Sequence, residues 1–100
     1  MVEPVPLPMS DARAVKLLRE ICADSGNVKF TDHARKRMVE RKITPVQVID
    51  CLIKGIIAEP GAPDMHGNWK LTMTRRAGGR EVQVAAAIDL PSRVVVITVF

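Results

Sequence analysis

At Gly55 the hydrophobic period of this chain changes from that of a helix to that of a strand, which restricts the fold to helices first and a sheet afterwards. Before the switch, Ala14, Leu17, Leu18 and Ile21 lie at helical spacing behind Ser10, a good N-cap, and Asp11 in the first turn. That helix is expected to stop between Asp24 and Asn27. Just before the switch, Thr44 reads as N-cap, Pro45 as the first helical residue and Gln47 as the partner in a capping box. Val46, Ile49, Leu52 and Ile53 form the expected buried face of this helix, and Gly55 fits a left-handed C-cap. Between the two lies a third helix, capped by Thr31 or Asp32 and ending near Lys42, with Val28 to Phe30 as a short strand or an extended entry.

After Gly55 the signals are those of strands and turns. Ile56 to Glu59 reads as a strand closed by Pro60, and GAPDMHGN has turn composition. Trp69, Leu71 and Met73 then alternate with Lys70, Thr72 and Thr74 as a one-sided strand. A turn at Ala77 to Gly79 leads to a strand carrying Val82, Val84, Ala86 and Ile88. After a turn from Leu90 to Arg93, Val94 to Phe100 is apolar on both parities and is expected to be central and buried. The predicted fold class is α+β, with N-terminal helices packed on one face of an antiparallel β-sheet meander. With 100 residues, 47% of them hydrophobic, the chain has enough for one core, so residues 10–100 read as a single domain. Residues 1–9, with Pro4, Pro6 and Pro8, read as an extended arm.

Composition narrows the function classes. No apolar run reaches membrane-spanning length and the first residues lack the basic and apolar regions of a secretion signal, so a soluble cytoplasmic protein is expected. Cys22 and Cys51 fall on apolar helix faces and read as buried free thiols. The formal charge of +4 favours polyanionic partners. Three aromatic residues and no tyrosine are too few for a base-stacking platform, so any RNA contact would be led by phosphates. P-loop, dinucleotide-binding and nucleophile-elbow motifs are absent from the sequence, and Asp64 with His66 does not make a metal site, so neither cofactor nor metal is expected.

The chemistry-bearing stretch is FTDHARKRMVERKIT. Its His33, Arg37 and Arg41 recur every four residues and share one helix face, beside the apolar Ala34 and Met38. An imidazole, which changes charge near neutral pH, set beside guanidinium groups is equipment for moving protons and holding phosphate. Arg75 continues the inward parity of Trp69, Leu71 and Met73 and is expected to turn toward this ridge, and Thr98 offers a hydroxyl from the last strand. Arg41, Arg76, Arg80 and Lys70 would extend a nucleic-acid-binding surface. Each has a plainer reading: a histidine just inside a helix start often satisfies backbone groups or packs its ring, and arginines beside a glycine turn are often an exposed hairpin tip. Lys36 and Glu40 are expected to form a weak i,i+4 pair, and Arg37 and Arg41 have Glu81 or Asp89 as alternative partners. Trp69 reads as a core or sheet-edge anchor.

FTDHARKRMVERKIT, the glycine-ended helix after it, the meander and the terminal VVVITVF together resemble the bacterial domain-of-unknown-function 4258 family, from Phe30 to Phe100. That family's helix-then-sheet layout is similar to RelE and BrnT toxins of the barnase-like ribonuclease group. The resemblance implies a toxin-like, metal-independent ribonuclease working through His33, Arg37, Arg75 and Thr98. The chain departs from RelE-like enzymes in having no tyrosine and in stopping at the last expected strand, where those enzymes carry a C-terminal catalytic residue. The alternative is a non-catalytic module that binds nucleic acid or protein through the same ridge. In a third reading an open sheet edge recruits a second copy or an antitoxin-like protein.

Overall fold

The computed structural model describes residues 8–100. Three α-helices precede most of the sheet: α1 (Asp11–Cys22), α2 (Asp32–Arg41) and α3 (Pro45–Lys54). The strands are β1 (Val28–Phe30), β2 (Ile56–Pro63), β3 (Trp69–Ala77), β4 (Arg80–Asp89) and β5 (Arg93–Val99), in the spatial order β1-β5-β4-β3-β2. The fold is therefore α+β, and β2 to β5 form the expected antiparallel meander. The sheet as a whole is mixed, because Val28–Phe30 is a strand and pairs parallel to β5, Val28 opposite Val94. This puts β4 at the centre, with β5 as the interior strand beside it. Of the expected proline arm, residues 1–7 lie outside the described residues, and Met9 is packed in the core.

Local chemistry explains each helix start. Ser10 and Thr31 accept hydrogen bonds from the N–H groups of Arg13 and Ala34, and Thr44 and Gln47 complete a reciprocal capping box, each such cap being worth about 1 kcal/mol. α1 ends at Cys22, short of Asp24, because Asp24 caps a 3₁₀ turn over Ser25–Asn27 that leads into β1. In α3 the buried residues are Val48, Cys51 and Leu52, while Val46 points to solvent. Gln47, Asp50 and Lys54 share the polar face of this helix, and Val46, four residues before Asp50, falls beside that face and away from Val48 and Leu52. Gly55 is extended (φ −75°, ψ 179°) rather than left-handed; glycine is needed because a Cβ there would stand 2.3 Å from the Cys51 carbonyl oxygen and 2.6 Å from that of Thr74.

β2 is twice as long as expected and runs through Pro60 to Pro63, with register shifts on either side of Glu59. Prolines are tolerated there because β2 is an edge strand, and the irregular, proline-bearing edge discourages pairing with another chain. Gly78 and Gly79 (φ 61° and 75°) form the two-residue turn of the β3–β4 hairpin, which closes on the Ala77–Arg80 pair. Leu71, Met73, Val84, Ala86, Val94, Val96 and Val99 face the helices and make the core. The alternate residues, among them Thr72, Ala85, Val95 and Thr98, lie on the opposite, helix-free face.

Candidate functional site

α2 is held in place by the strand it leaves. β1 ends at Phe30, so the last part of β5 runs on with no strand on the side away from β4, and α2 packs along that stretch. Thr31 makes the junction: its N–H donates to the Val96 carbonyl (3.1 Å), and its hydroxyl donates to the Ile97 carbonyl (3.0 Å) while accepting from the Ala34 N–H (3.0 Å). Two residues on, exposed His33 places Nε2 3.1 Å from Thr98 Oγ1. The hydroxyl donates when Nε2 is bare and accepts when Nε2 carries the proton, so the contact serves both states of the ring. One turn further, Arg37 Nε donates to the Val99 carbonyl (3.3 Å) and Nη1 to Glu40 Oε2 (3.0 Å).

Thr98 reaches this position through an irregularity. Strict alternation from Val94 and Val96 would turn it into the core, but a bulge between the Ala85–Thr98 and Ala86–Val96 pairs inserts Ile97. Thr98 therefore faces the helix-free side at the sheet's rim, and Val99 takes the buried place. His33, Arg37 and Thr98 thus converge on one exposed edge. Arg75 does not join them. Its inward parity holds, but it opposes Val82 on the helix-bearing face, where its Nε donates to Asp50 Oδ2 on α3 (2.9 Å). That hydrogen bond, first, and the charges of Arg75 and Lys54, the latter 3.6 Å away, hold the Asp50 carboxyl below the usual carboxylate value.

The other basic residues divide. Arg80, across the glycine turn, donates to the carbonyls of Arg41 and Lys42, so the hairpin tip satisfies the C-terminus of α2 instead of standing free. Arg41 and Arg76 are exposed, and Lys70 lies on the helix-free face opposite Ala87. The expected Lys36–Glu40 pair is replaced by Arg37–Glu40, and neither Glu81 nor Asp89 meets the ridge: Glu81 accepts from Thr74, and Asp89 pairs with Arg93. The thiols of Cys22 and Cys51 are buried, which pushes them up to about 11 and about 12. Trp69 is a core residue pressed on Gly61, and its Nε1 is buried without a partner among the described residues. Among the described residues no three His, Cys, Asp or Glu side chains gather as a metal-binding group, and no helix is long and apolar enough to cross a membrane.

A family model, described as a domain of unknown function (DUF4258), matches residues 30–100. The chain belongs to the DUF4258 family. The DUF4258 segment begins at Phe30 and so contains Thr31, His33, Arg37 and Thr98, together with the whole antiparallel meander; α1 lies outside it. Comparison with curated proteins and with solved structures found no match for the chain.

The sequence singles out His33, Arg37, Thr98 and Arg75 as candidates but not the contacts that hold them. Asp50 gave no signal as the partner of Arg75 from 25 positions away. Thr31 was legible as a helix cap, but its bond to β5 spans 66 positions and has no local signature.

Proposed function

We propose that this DUF4258 domain is a metal-independent ribonuclease whose site is the edge formed by His33, Thr98 and Arg37. The observation that carries the proposal is the 3.1 Å contact between the exposed His33 Nε2 and Thr98 Oγ1, beside an arginine. In this reading Nε2 takes the proton of an RNA 2′-hydroxyl, and the freed oxygen attacks the adjacent phosphorus. The bond to the 5′-oxygen then breaks, and that oxygen takes a proton from water. Thr98 keeps the ring oriented in both protonation states. Arg37 uses Nε and Nη1 on Val99 and Glu40, which leaves Nη2 for a phosphate oxygen. Arg41, Arg76 and Lys70 would add sequence-independent phosphate contacts. The resemblance to RelE and BrnT toxins, an expectation from the sequence alone, adds no residue role to this reading, because fold does not determine chemistry.

The test is incubation of the protein with labelled RNA in EDTA, beside His33→Ala and Arg37→Ala. Cleavage to 2′,3′-cyclic phosphate ends is expected, with His33→Ala lowering the rate by roughly 10² or more, the usual worth of a positioned base. Unchanged cleavage in His33→Ala removes the histidine from the mechanism. One observation favours a second reading, a non-catalytic binding module: the other histidine, His66, sits in the β2–β3 turn, so the edge offers a single imidazole for two proton transfers. Intact RNA with binding that weakens as salt rises is the result expected of that module.

A further inference from the structure

The opposite side of α2 has a different character. At 100° per residue, Arg35 and Val39 lie roughly 200° and 240° around the helix from His33, away from the histidine edge. After Arg41 the chain turns sharply: Lys42 takes the left-handed conformation (φ 57°), and Ile43 and Thr44 lead at once into α3. The bend leaves an open groove of about 500 Å³ floored by Met38, Val39, Ile43 and Pro45, with Arg35 and Lys42 at its rim. Val39 is 79% exposed, and Val46, next to Pro45, is 76% exposed. Neither valine serves the core, and Val39 lines the concave apolar surface that the two helices leave.

We propose that this groove docks an acidic, amphipathic helix of a partner protein. Aliphatic side chains at i, i+4 and i+7 of such a helix would fill the floor. Acidic residues beside them would meet Arg35 and Lys42, and no acidic residue lines the groove to oppose them. In α2, Glu40 is engaged by Arg37 on the other side, and Asp32, a turn before Arg35 on the same face, does not line the groove. Charge separates this occupant from the alternatives. A second copy of the chain, with formal charge +4, would bring cations to a cationic rim. Nucleic acid would suit the rim and leave the aliphatic floor without a match. The groove does not include His33, Arg37 or Thr98, so a docked helix leaves the histidine edge open, and the proposal stands whether or not that edge cleaves RNA.

The probe is a synthetic helical peptide with leucine at i, i+4 and i+7 and glutamate at the flanking positions, compared with the same peptide carrying lysine for glutamate. Binding to the full chain is measured by fluorescence anisotropy and mapped by methyl and amide NMR. The glutamate peptide is expected to saturate, to shift the Val39 and Ile43 methyl signals while leaving the His33 amide signal in place, and to lose at least about tenfold in affinity to Val39→Asp. Val39 is exposed, so the variant should keep the wild-type melting temperature, which separates loss of docking from loss of fold. Absence of saturable binding, equal binding of the lysine peptide, or indifference to Val39→Asp overturns the proposal, as does a footprint on His33 instead of Val39.

Discussion

Replacing Thr31 by valine changes one hydroxyl for a methyl and hardly alters volume, yet it cuts both the cap of α2 and the side-chain bond from Thr31 to β5, leaving only the backbone bond to the Val96 carbonyl. The hydroxyl accepts from the Ala34 N–H and donates to the Ile97 carbonyl, each at 3.0 Å. Loss of the cap costs about 1 kcal/mol, and loss of the bond to the strand carbonyl about another 1 kcal/mol, for a total of about 2 kcal/mol. Ser10→Ala is the matched control, because Ser10 caps α1 through the Arg13 N–H alone. It should cost about 1 kcal/mol. In a domain of this size each kcal/mol lowers the melting temperature by about 4–8 °C, so the two variants should differ by about that much. Thr31→Ser keeps the hydroxyl and should stay within about 0.5 kcal/mol of the parent. Urea unfolding followed by circular dichroism gives the three values, and hydrogen exchange at Ala34 reports whether the loss is at the cap. The reasoning fails if Thr31→Val costs no more than Ser10→Ala, or if serine is as damaging as valine.

Two further outcomes follow from charge and burial. The folded Asp50 carboxyl is held below its unfolded value of about 4, so what it contributes is present above that pH and fades as pH falls through the folded value. Asp50→Asn should therefore be less stable than the parent at pH 7, by no more than about 1 kcal/mol given the partial exposure of the pair, and the gap should narrow in urea titrations as pH falls below the unfolded value. A gap that widens in acid would contradict the assignment. For Cys22 and Cys51, burial raises both thiols far above neutral pH, so iodoacetamide should label neither in the folded chain at pH 7.5 and both in urea; native-state labelling read by mass spectrometry would refute their burial.

What was legible in the sequence was what a few neighbouring residues decide. Ser10, Thr31, Thr44 and Gln47 announce helix starts because a cap is a contact across three residues. Trp69, Leu71 and Met73 announce a face because strand parity is local. In α3 the polar face of Gln47, Asp50 and Lys54 marks the phase, and Val46 was placed inside because its apolar type was weighed above its place four residues before Asp50. The parallel pairing of β1 was hidden because three residues carry little pattern and their partners lie 66 positions away. In the candidate site, the residue types were visible and the convergence was not. Arg75 was rightly read as facing inward, but only the fold shows that Asp50 waits there. Thr98 comes to His33 by way of a bulge at Ile97 that no spacing rule places.

The contact between His33 and Thr98 joins positions 65 apart. During synthesis, at about 5–20 residues per second, α2 is complete roughly 3–12 s before its strand is. For that interval the histidine has no hydroxyl to orient it, Thr31 has no β5 carbonyl to reach, and Ala34 and Met38 have no sheet to cover them. The chain thus carries His33 and Arg37 through translation without their partners, and the edge comes into being only when β5 is laid down. A ribosome that stalls before β5 would release a fragment with the ridge but not the site. If the edge acts on RNA, that order of events keeps the activity away from the message being read until the domain is nearly whole.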